Sequence, residues 1–383
     1  PDAPDRTTRV CGAVAVDSDG AFHTYRANAI VFAVGGPGGL YQASVYPAVH
    51  TGAIGLAFLA GARARNLPDS QFGLASVDVR WNVSGSYMQV IPRLFSALPD
   101  GSDEREFLLD AYPTPAAAHS ALFRKGYEWP FDARKAATGS SLIDLRVYRE
   151  TVERGRNVFL DFTRNPSGFS IDQLDSDARE YLCRCGSMGD TPYKRLDAMN
   201  PAAIALYRDH KLDIGTQPLR IAVCAQHNNG GLAADIDWES ETVAGLYPVG
   251  EVNGSHGVAR PGGSALNAGQ VGAIRAADAI AQRRENSPFD ATAANDAIRA
   301  ALARVERYAS ACRTAKNKWL EERRELRERM TNAASILRSK AMLRAAVLDA
   351  RTQWARLSTD GCAFDSNRDR KSTRLNSSHG KLS

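Results

Sequence analysis

Two short apolar runs, at residues 29–34 and 244–249, are the clearest strand signals in the chain. The first, AIVFAV, contains several β-branched residues and leads directly into glycines, and the second, AGLYPV, also leads into a glycine. Short apolar runs bounded by glycine are typical of buried parallel strands. The alternating residues of 10–16 and 21–27, which flank the sequence DSDG, predict a β-hairpin in front of the first run.

Helical periodicity marks several longer segments. Residues 51–62, 141–154 and 264–283 predict helices, and the sequence NVFLDF at 157–162 predicts a further strand. The region 291–357 contains neither proline nor glycine, and its apolar residues recur every three or four positions. This pattern predicts an antiparallel helical bundle that packs against the body of the protein.

The order of these patterns predicts an α/β protein with more than one domain. A chain of 383 residues is too long for one ordinary domain, since domains commonly have about 100–200 residues. We predict an α/β domain formed by residues 1–70 and 219–287 and interrupted by an inserted domain of mixed pattern at 71–218. A C-terminal helical domain is predicted at 288–368.

The two ends of the chain change the interpretation of its charge. The net charge is +5, but residues 369–383 alone contain four basic residues and one acidic residue. The sequence DRKSTRLNSSH at 369–379 matches the conceptual translation of a common sequencing adapter, so we predict that 369–383 is an artefact. Nucleic-acid binding is therefore not expected. Because the chain begins with neither a methionine nor a signal segment, we expect it to start inside a longer protein.

Cysteine usage and hydropathy limit the compartment. Six cysteines are scattered along the chain without the spacing of a disulfide framework or a zinc site, so we predict free thiols, no bound metal and a cytoplasmic location. No apolar run approaches the roughly 18 residues that a membrane-spanning helix needs, so direct membrane insertion is not expected.

Glycines and one carboxylate follow the two predicted parallel strands. Gly35 and Gly36 end the first strand, where the absence of a Cβ lets a flat or charged ligand approach the backbone, although a structural turn explains such a pair equally well. Glu251 ends the second strand, where open α/β sheets place their ligands, and its carboxylate can accept hydrogen bonds from ribose hydroxyls. The helix that begins in PGGSALNAGQ presents free N–H groups to a flavin or to a phosphate. The residues alone therefore predict a nucleotide or flavin site.

The chain resembles the flavoprotein subunits of fumarate reductase and succinate dehydrogenase, and also L-aspartate oxidase. The resemblance lies in four motifs that occur in the same order over about residues 10–350. The first is VFAVGGPGGLY followed by HTGAIGLAFLAGA, and the other three are QHNNGGL, LYPVGEVNGSHGVARPGGSALNAGQ and ERMTNAASILRS. It implies that the α/β domain is a Rossmann-like domain that binds FAD and that residues 71–218 form an α+β capping domain over the substrate. The family's N-terminal G-x-G-x-x-G motif is absent, so we expect this FAD-binding domain to be incomplete and weak in retaining FAD alone.

The resemblance implies a role for each matching residue of the cofactor site. Glu251 matches the glutamate that holds the ribose of FAD, and Ala265 and Leu266 match the pair whose backbone meets the isoalloxazine ring. The complete set of cofactor-binding residues that we predict is Gly35, Gly36, Thr51, Gly52, Gly250, Glu251, Ala265, Leu266 and Asn267.

Three residues are predicted to form the catalytic and substrate-binding site. His227 matches the histidine that binds a substrate carboxylate, and Arg260 matches the arginine that does so from the opposite loop, with His256 expected to support it. An arginine fork binds a carboxylate through two hydrogen bonds, and a protonated histidine adds a donor. Without the resemblance, a single histidine in a polar loop is more often structural.

The chain departs from the family at three further positions. Gly73, in QFGLAS, stands where the family commonly has a second substrate histidine, and Ser141 stands where it has its proton-donating arginine, with Arg146 the nearest cation. The aspartate of the first FAD helix is also missing from TGAIG. These departures argue against fumarate reduction by the usual proton relay.

The resemblance implies an FAD-dependent oxidoreductase that passes a hydride between flavin and a small anionic substrate, most simply a carboxylate. We expect an iron–sulfur protein as the electron-transfer partner. Two alternatives remain open, namely a flavoprotein that acts on an amine or an inorganic oxyanion, and a non-catalytic relative that has kept the fold.

Overall fold

The structure is a computed structural model that describes residues 6, 8–17, 20–47, 50–283 and 290–363. The suspected artefact at 369–383 lies outside the described residues. The chain divides into two compact units. Unit 1 comprises Pro1–Gln42, Pro47–Ser70 and His227–Ser383, and unit 2 comprises Ala43–Tyr46 and Gln71–Gln226. The domain limits predicted from the sequence, including a separate helical domain, stay predictions.

Strands and helices are mixed along the described chain, and several runs contain one type only. The strands are β1 (Thr8–Arg9), β2 (Gly12–Val16), β3 (Phe22–Arg26), β4 (Ile30–Phe32), β5 (Ala64–Arg65), β6 (Ser70–Ser76), β7 (Arg93–Ala97), β8 (Asn157–Asp161), β9 (Leu219–Asn228), β10 (Gly231–Leu232), β11 (Val243–Ala244) and β12 (Leu246–Pro248). The helices are α1 (Ile54–Leu59), α2 (Ser86–Gln89), α3 (Pro115–Lys125), α4 (Ser141–Tyr148), α5 (Ser176–Arg184), α6 (Pro192–Met199), α7 (Pro201–Asp209), α8 (Ser264–Arg283), α9 (Ala291–Thr314), α10 (Trp319–Ala334) and α11 (Lys340–Asp360).

The two predicted parallel strands of unit 1 lie side by side. β4 pairs with β12 in parallel, with Ile30 opposite Leu246 and Phe32 opposite Pro248, and the predicted hairpin forms from β2 and β3. Ile30 and Phe32 pack against a buried core that includes Leu246. Val31 is 55% exposed, so the expectation that this run is buried holds for one face of β4 only, because successive side chains point to opposite faces.

Helix α8 covers the other strand of this pair. Its residues Ala276 and Ala279 form a buried cluster with Tyr247 and Val249, which lie on and just after β12. Gly272 brings the helix against Trp238, since a Cβ at this glycine would lie 2.4 Å from atoms of the indole ring. The helix was predicted at 264–283, and the structure confirms these limits.

The helix predicted at 51–62 is shorter than the sequence pattern suggests. In the structure α1 occupies only Ile54–Leu59. Gly52 has φ +122° before the helix and Gly61 has φ +92° after it, and neither value is compatible with a right-handed helix. Gly52 and Gly61 therefore limit the helix on both sides.

Among the helices after residue 290, α10 and α11 contact each other through polar side chains. Gln353 Nε2 donates to Glu322 Oε2 at 2.9 Å, and Arg356 Nη2 donates to the same carboxylate oxygen at 2.7 Å. The pattern at 291–357 correctly predicted helical structure, and α9, α10 and α11 are separated by short breaks at 315–318 and 335–339. Among the described residues, no helix is both long and apolar enough to cross a membrane.

Unit 2 contains a four-stranded sheet in the order β6-β9-β8-β7. β8 is antiparallel to both β7 and β9, and its residues Val158 and Leu160 are completely buried. The predicted strand at 157–162 and the predicted helix that begins at Ser141 are both present, the latter as α4 followed by a π-helical turn at Arg149–Glu153. The last two residues of β9, His227 and Asn228, belong to unit 1.

Candidate functional site

The ends of β4 and β12 bring together the glycine pair and the carboxylate that the sequence singled out. A Cβ placed on Gly36 would lie 2.5 Å from Glu251 Oε1 and 2.8 Å from Asn228 Nδ2, which is closer than real Cβ atoms approach. Only glycine fits here without displacing the carboxylate. Glu251 Oε1 also accepts the backbone N–H of Asn228 at 2.7 Å, so three separate chain segments meet at this carboxylate.

The other predicted residues of the first segment shape the same strand end. Gly35 has φ +71°, a left-handed conformation that favours glycine, and a Cβ there would lie 2.8 Å from His50 Cε1. Thr51 and Gly52 follow His50 and lead into α1. His50 itself was not predicted as a site residue, although it directly precedes the Thr51–Gly52 motif.

The first turn of α8 carries the second group of predicted cofactor residues. Ala265, Leu266 and Asn267 lie in this turn, and the Leu266 side chain is 76% exposed. Gly269 passes Gly250 so closely that a Cβ on Gly269 would lie 3.5 Å from the Gly250 Cα. The first N–H groups of a helix have no partner within it, so this turn offers donors next to the end of β12.

His227, His256 and Arg260 form a second group in unit 1. The two imidazole rings stand edge to face with centroids 4.9 Å apart. His227 Nδ1 donates to Asn229 Oδ1 at 3.1 Å, and His227 Nε2 lies 3.9 Å from Glu251 Oε1. His227 and Arg260 are both buried. The structure therefore brings the three predicted substrate residues together and sets them beside the predicted ribose-binding glutamate.

Both imidazoles are uncharged at neutral pH. Burial lowers the pKa of His227 to about 4, and the positive charge of Arg260 lowers it further, against a smaller opposing effect of Asn229. Burial likewise lowers the pKa of His256 to about 4, with added contributions from His227 and Arg260. The sequence expectation that a protonated histidine adds a donor therefore does not describe the ligand-free site, in which the histidines carry no charge.

The two positions at which the chain departs from the family lie in unit 2 and are filled by packing. A Cβ on Gly73 would lie 2.3 Å from Trp129 Nε1, so the indole occupies the space of a larger residue. Ser141 is fully buried, and its hydroxyl accepts the backbone N–H of Asp132 at 2.9 Å. Gly73 therefore supplies no imidazole, and Ser141 supplies no guanidinium, at the two positions where the resemblance led us to expect them.

Metal coordination has no support in the part of the chain that the structure describes. Within the described ranges, no group of three or more His, Cys, Asp or Glu side chains is arranged to hold a metal ion.

The chain matches a family model described as FAD binding domain over residues 4–266. Among curated proteins, it is 28% identical over 278 residues to the L-aspartate oxidase of Streptomyces coelicolor, a match that covers 72% of this chain and 40% of the relative. It is 31% identical over 223 residues to one of the subunits of the fumarate reductase (CoM/CoB) of Methanothermobacter marburgensis, covering 57% of this chain and 35% of the relative. The chain thus spans less than half of the length of these relatives.

A solved structure shares the fold. A variant of E. coli quinol fumarate reductase superposes with a TM-score of 0.61 at 20% identity, over 98% of this chain and 59% of that chain. At this level of identity the likeness concerns the fold, and the chemistry has to be argued from the residues described above.

Proposed function

Because the chain belongs to the FAD binding domain family, we propose that it is part of an FAD-dependent oxidoreductase that acts on a small anionic substrate. The observation that carries the proposal is the buried Arg260 beside His227 and His256, next to Glu251. A buried guanidinium beside uncharged imidazoles is suited to bind the carboxylate of a substrate through paired hydrogen bonds.

The residues at the ends of β4 and β12 fit FAD as the cofactor. Gly36 leaves open backbone against the Glu251 carboxylate, in a space that any Cβ would fill. We propose that Glu251 accepts hydrogen bonds from the ribose and that the first turn of α8, with Ala265 and Leu266, meets the flavin ring through backbone N–H groups. When bound, FAD supplies the capacity to accept or donate a hydride.

The protein groups would orient the substrate and exclude water from it. Arg260 would bind one carboxylate, and His227 would contact the same anion through Nε2, which has no hydrogen-bond partner in the structure. We assign no proton donor, because Ser141 stands at the position that the resemblance gives to the proton-donating arginine, and its hydroxyl accepts the backbone N–H of Asp132.

An electron-transfer partner is part of the same proposal. The methanogen relative is described as one of the subunits of its fumarate reductase, and this supports a partner protein, which we expect to contain iron–sulfur clusters. All six cysteines are free thiols, which supports a reducing compartment, and we propose a cytoplasmic location.

A second candidate is a flavoprotein that acts on an amine. Two of the matching curated proteins are L-aspartate oxidases, and the lack of a proton donor at Ser141 suits oxidation of a substrate better than reduction of a double bond. Both candidates share the carboxylate contact at Arg260, so the difference lies in the group that is oxidised.

The test is the visible absorption spectrum of the protein, expressed together with any coding sequence that flanks residues 1–368, before and after acid precipitation. A flavin spectrum supports the proposal, and its release into the supernatant indicates noncovalent FAD. Anaerobic addition of dicarboxylates, amino acids or inorganic oxyanions then identifies the class of compound that changes the flavin spectrum. A folded protein that takes up no FAD would contradict the proposal and favour a non-catalytic relative.

A further inference from the structure

A hydrogen bond determines which ring nitrogen of His227 a ligand can reach. His227 Nδ1 and Asn229 Oδ1 are 3.1 Å apart, while Asn229 Nδ2 donates to the carbonyl oxygen of Val258 at 3.4 Å. The backbone N–H of Asn229 donates to the carbonyl of Asp69 at 2.9 Å, which holds the residue in place. Because Oδ1 can only accept, the proton of the neutral imidazole resides on Nδ1. Nε2 then carries a lone pair and no proton.

The surroundings of Nε2 contain both signs of charge. Nε2 is buried and has no hydrogen-bond partner. The charged and titratable groups that face the ring are Glu251, with Oε1 at 3.9 Å, the imidazole of His256 at 4.9 Å between centroids, and Arg260. An anion bound to Arg260 would bring negatively charged oxygen toward the Nε2 lone pair, and the two would repel each other.

We propose that Asn229 is a positioning residue that couples anion binding at Arg260 to the uptake of one proton by His227 Nε2. The inference rests on the proposed function in that it takes Arg260 and His227 to bind the substrate anion. The added proton forms a bond to Nε2 and converts it from an acceptor to a charged donor, so repulsion becomes a charge-assisted hydrogen bond. The proton comes from a hydronium ion or a buffer acid, and the O–H or N–H bond that held it there is broken.

The direction of the pH dependence follows from the pKa of His227. In the free protein, burial and Arg260 lower this pKa to about 4. A bound anion offsets the charge of Arg260 and favours the imidazolium, so the pKa is higher in the complex. A group whose pKa rises on binding takes up a proton, so anion affinity is greatest at low pH. Between the free and the bound pKa, affinity falls by up to about tenfold for each unit of rising pH.

The experiment is isothermal titration of the FAD-loaded protein with fumarate in pairs of buffers that differ in ionisation enthalpy. Fumarate is fully ionised between about pH 6 and 7, so any dependence of the heat on the buffer reports protons taken up by the protein. We expect up to about one proton per fumarate. Heats that are independent of the buffer would overturn the inference.

Two variants separate positioning from a purely structural role of Asn229. In Asn229→Leu, the imidazole is free to carry its proton on Nε2 while neutral, so we expect fumarate to bind with almost no proton uptake and little pH dependence. In His227→Gln, the side-chain amide donates without a proton from solvent, and proton uptake should again disappear. A structural role would instead lower the affinity of Asn229→Leu equally at every pH and leave the number of protons unchanged.

A third variant tests whether His256 is the group that takes up the proton. His256→Gln should keep the proton uptake of the unmodified protein, and its loss in this variant would overturn the assignment to His227. Failure of fumarate to bind the FAD-loaded protein at any pH would overturn the proposed function and this inference with it. Binding without proton uptake would overturn this inference alone.

Discussion

Unit 2 pairs a buried lysine with a buried aspartate, whereas unit 1 buries Arg260 beside imidazoles that carry no charge. Lys125 Nζ lies 2.5 Å from Asp144 Oδ2, and both side chains are almost completely inaccessible. Burial raises the pKa of Asp144, and Lys125 opposes this effect. In unit 1, Arg260 lies beside His227 and His256, whose pKa values are both lowered to about 4.

We interpret the Lys125–Asp144 pair as charge that serves the fold and, in line with the proposed function, Arg260 as charge that serves a ligand. A buried lysine–aspartate pair is neutral as a unit and needs nothing from outside, although its burial is costly if one member is lost. An anion that binds beside Arg260 would gain from the positive charge of its guanidinium.

The largest effect is expected from breaking the pair in unit 2. Lys125→Met leaves Asp144 buried without its partner and should lower the free energy of unfolding by about 3–5 kcal/mol. Urea denaturation followed by circular dichroism measures this loss. The double variant Lys125→Met with Asp144→Leu should recover most of it, since an apolar pair of similar volume is tolerated. A single variant as stable as the double one would contradict a structural role for the pair.

Removing the charge of Arg260 in unit 1 should affect ligand binding rather than folding. Arg260→Ala is expected to weaken fumarate binding by about 2–4 kcal/mol, or roughly 30-fold to 1000-fold, with FAD retained. His227→Ala should cause a smaller loss. Arg299→Ala is the matched control, because this arginine is exposed on α9 and pairs only locally with Asp296. Unchanged affinity in both site variants would remove the two residues from the site.

A methyl group at the strand end should weaken the cofactor site. Gly36→Ala places a Cβ 2.5 Å from Glu251 Oε1 and forces the carboxylate away, at a cost of about 1–3 kcal/mol. We expect the dissociation constant of FAD to rise by about tenfold, measured by flavin fluorescence. Gly55→Ala on α1 is the control, since nothing lies within 4 Å of its Cβ. Equal FAD affinity in the two variants would argue that Glu251 has no contact with the cofactor.

The smallest effect is expected at Gly73 in unit 2. Gly73→Ala places a Cβ 2.3 Å from Trp129 Nε1, so the indole has to shift, and we expect a loss of about 1–2 kcal/mol in stability. Substrate binding should be affected less than stability. A variant of normal stability that loses fumarate binding would instead make Gly73 part of the substrate site.

The sequence predicted the elements whose signals are local. β4, β12 and α8 were predicted because apolar runs, glycines and helical periodicity mark them within a few residues. Glu251 and Gly36 were each predicted from their position after a strand, but their contact depends on parallel pairing of segments more than 200 residues apart. Asn229 lies in the motif QHNNGGL but was not singled out, because its contact with His227 Nδ1 becomes visible only in the folded chain.

The residue that fills the space left by a missing side chain is harder still to predict. Gly73 was recognised as a departure from the family, but nothing near it in the sequence indicates that Trp129 fills the space. For α1 the error concerns the length of the helix. The predicted helix included Gly52 and Gly61, but their positive φ values place both residues outside it. In both cases the decisive information is three-dimensional, either a distant neighbour or a backbone angle.

The contact between Gly272 and Trp238 gives the molecule an internal optical reporter. Gly272 lies eight residues after Ser264, about 12 Å along the axis of α8 from its first turn, and the helix rests directly on the indole. Indole emission overlaps flavin absorption, so a flavin at the start of α8 would quench Trp238 by energy transfer. The fluorescence that Trp238 contributes would then record occupancy of the cofactor site in real time.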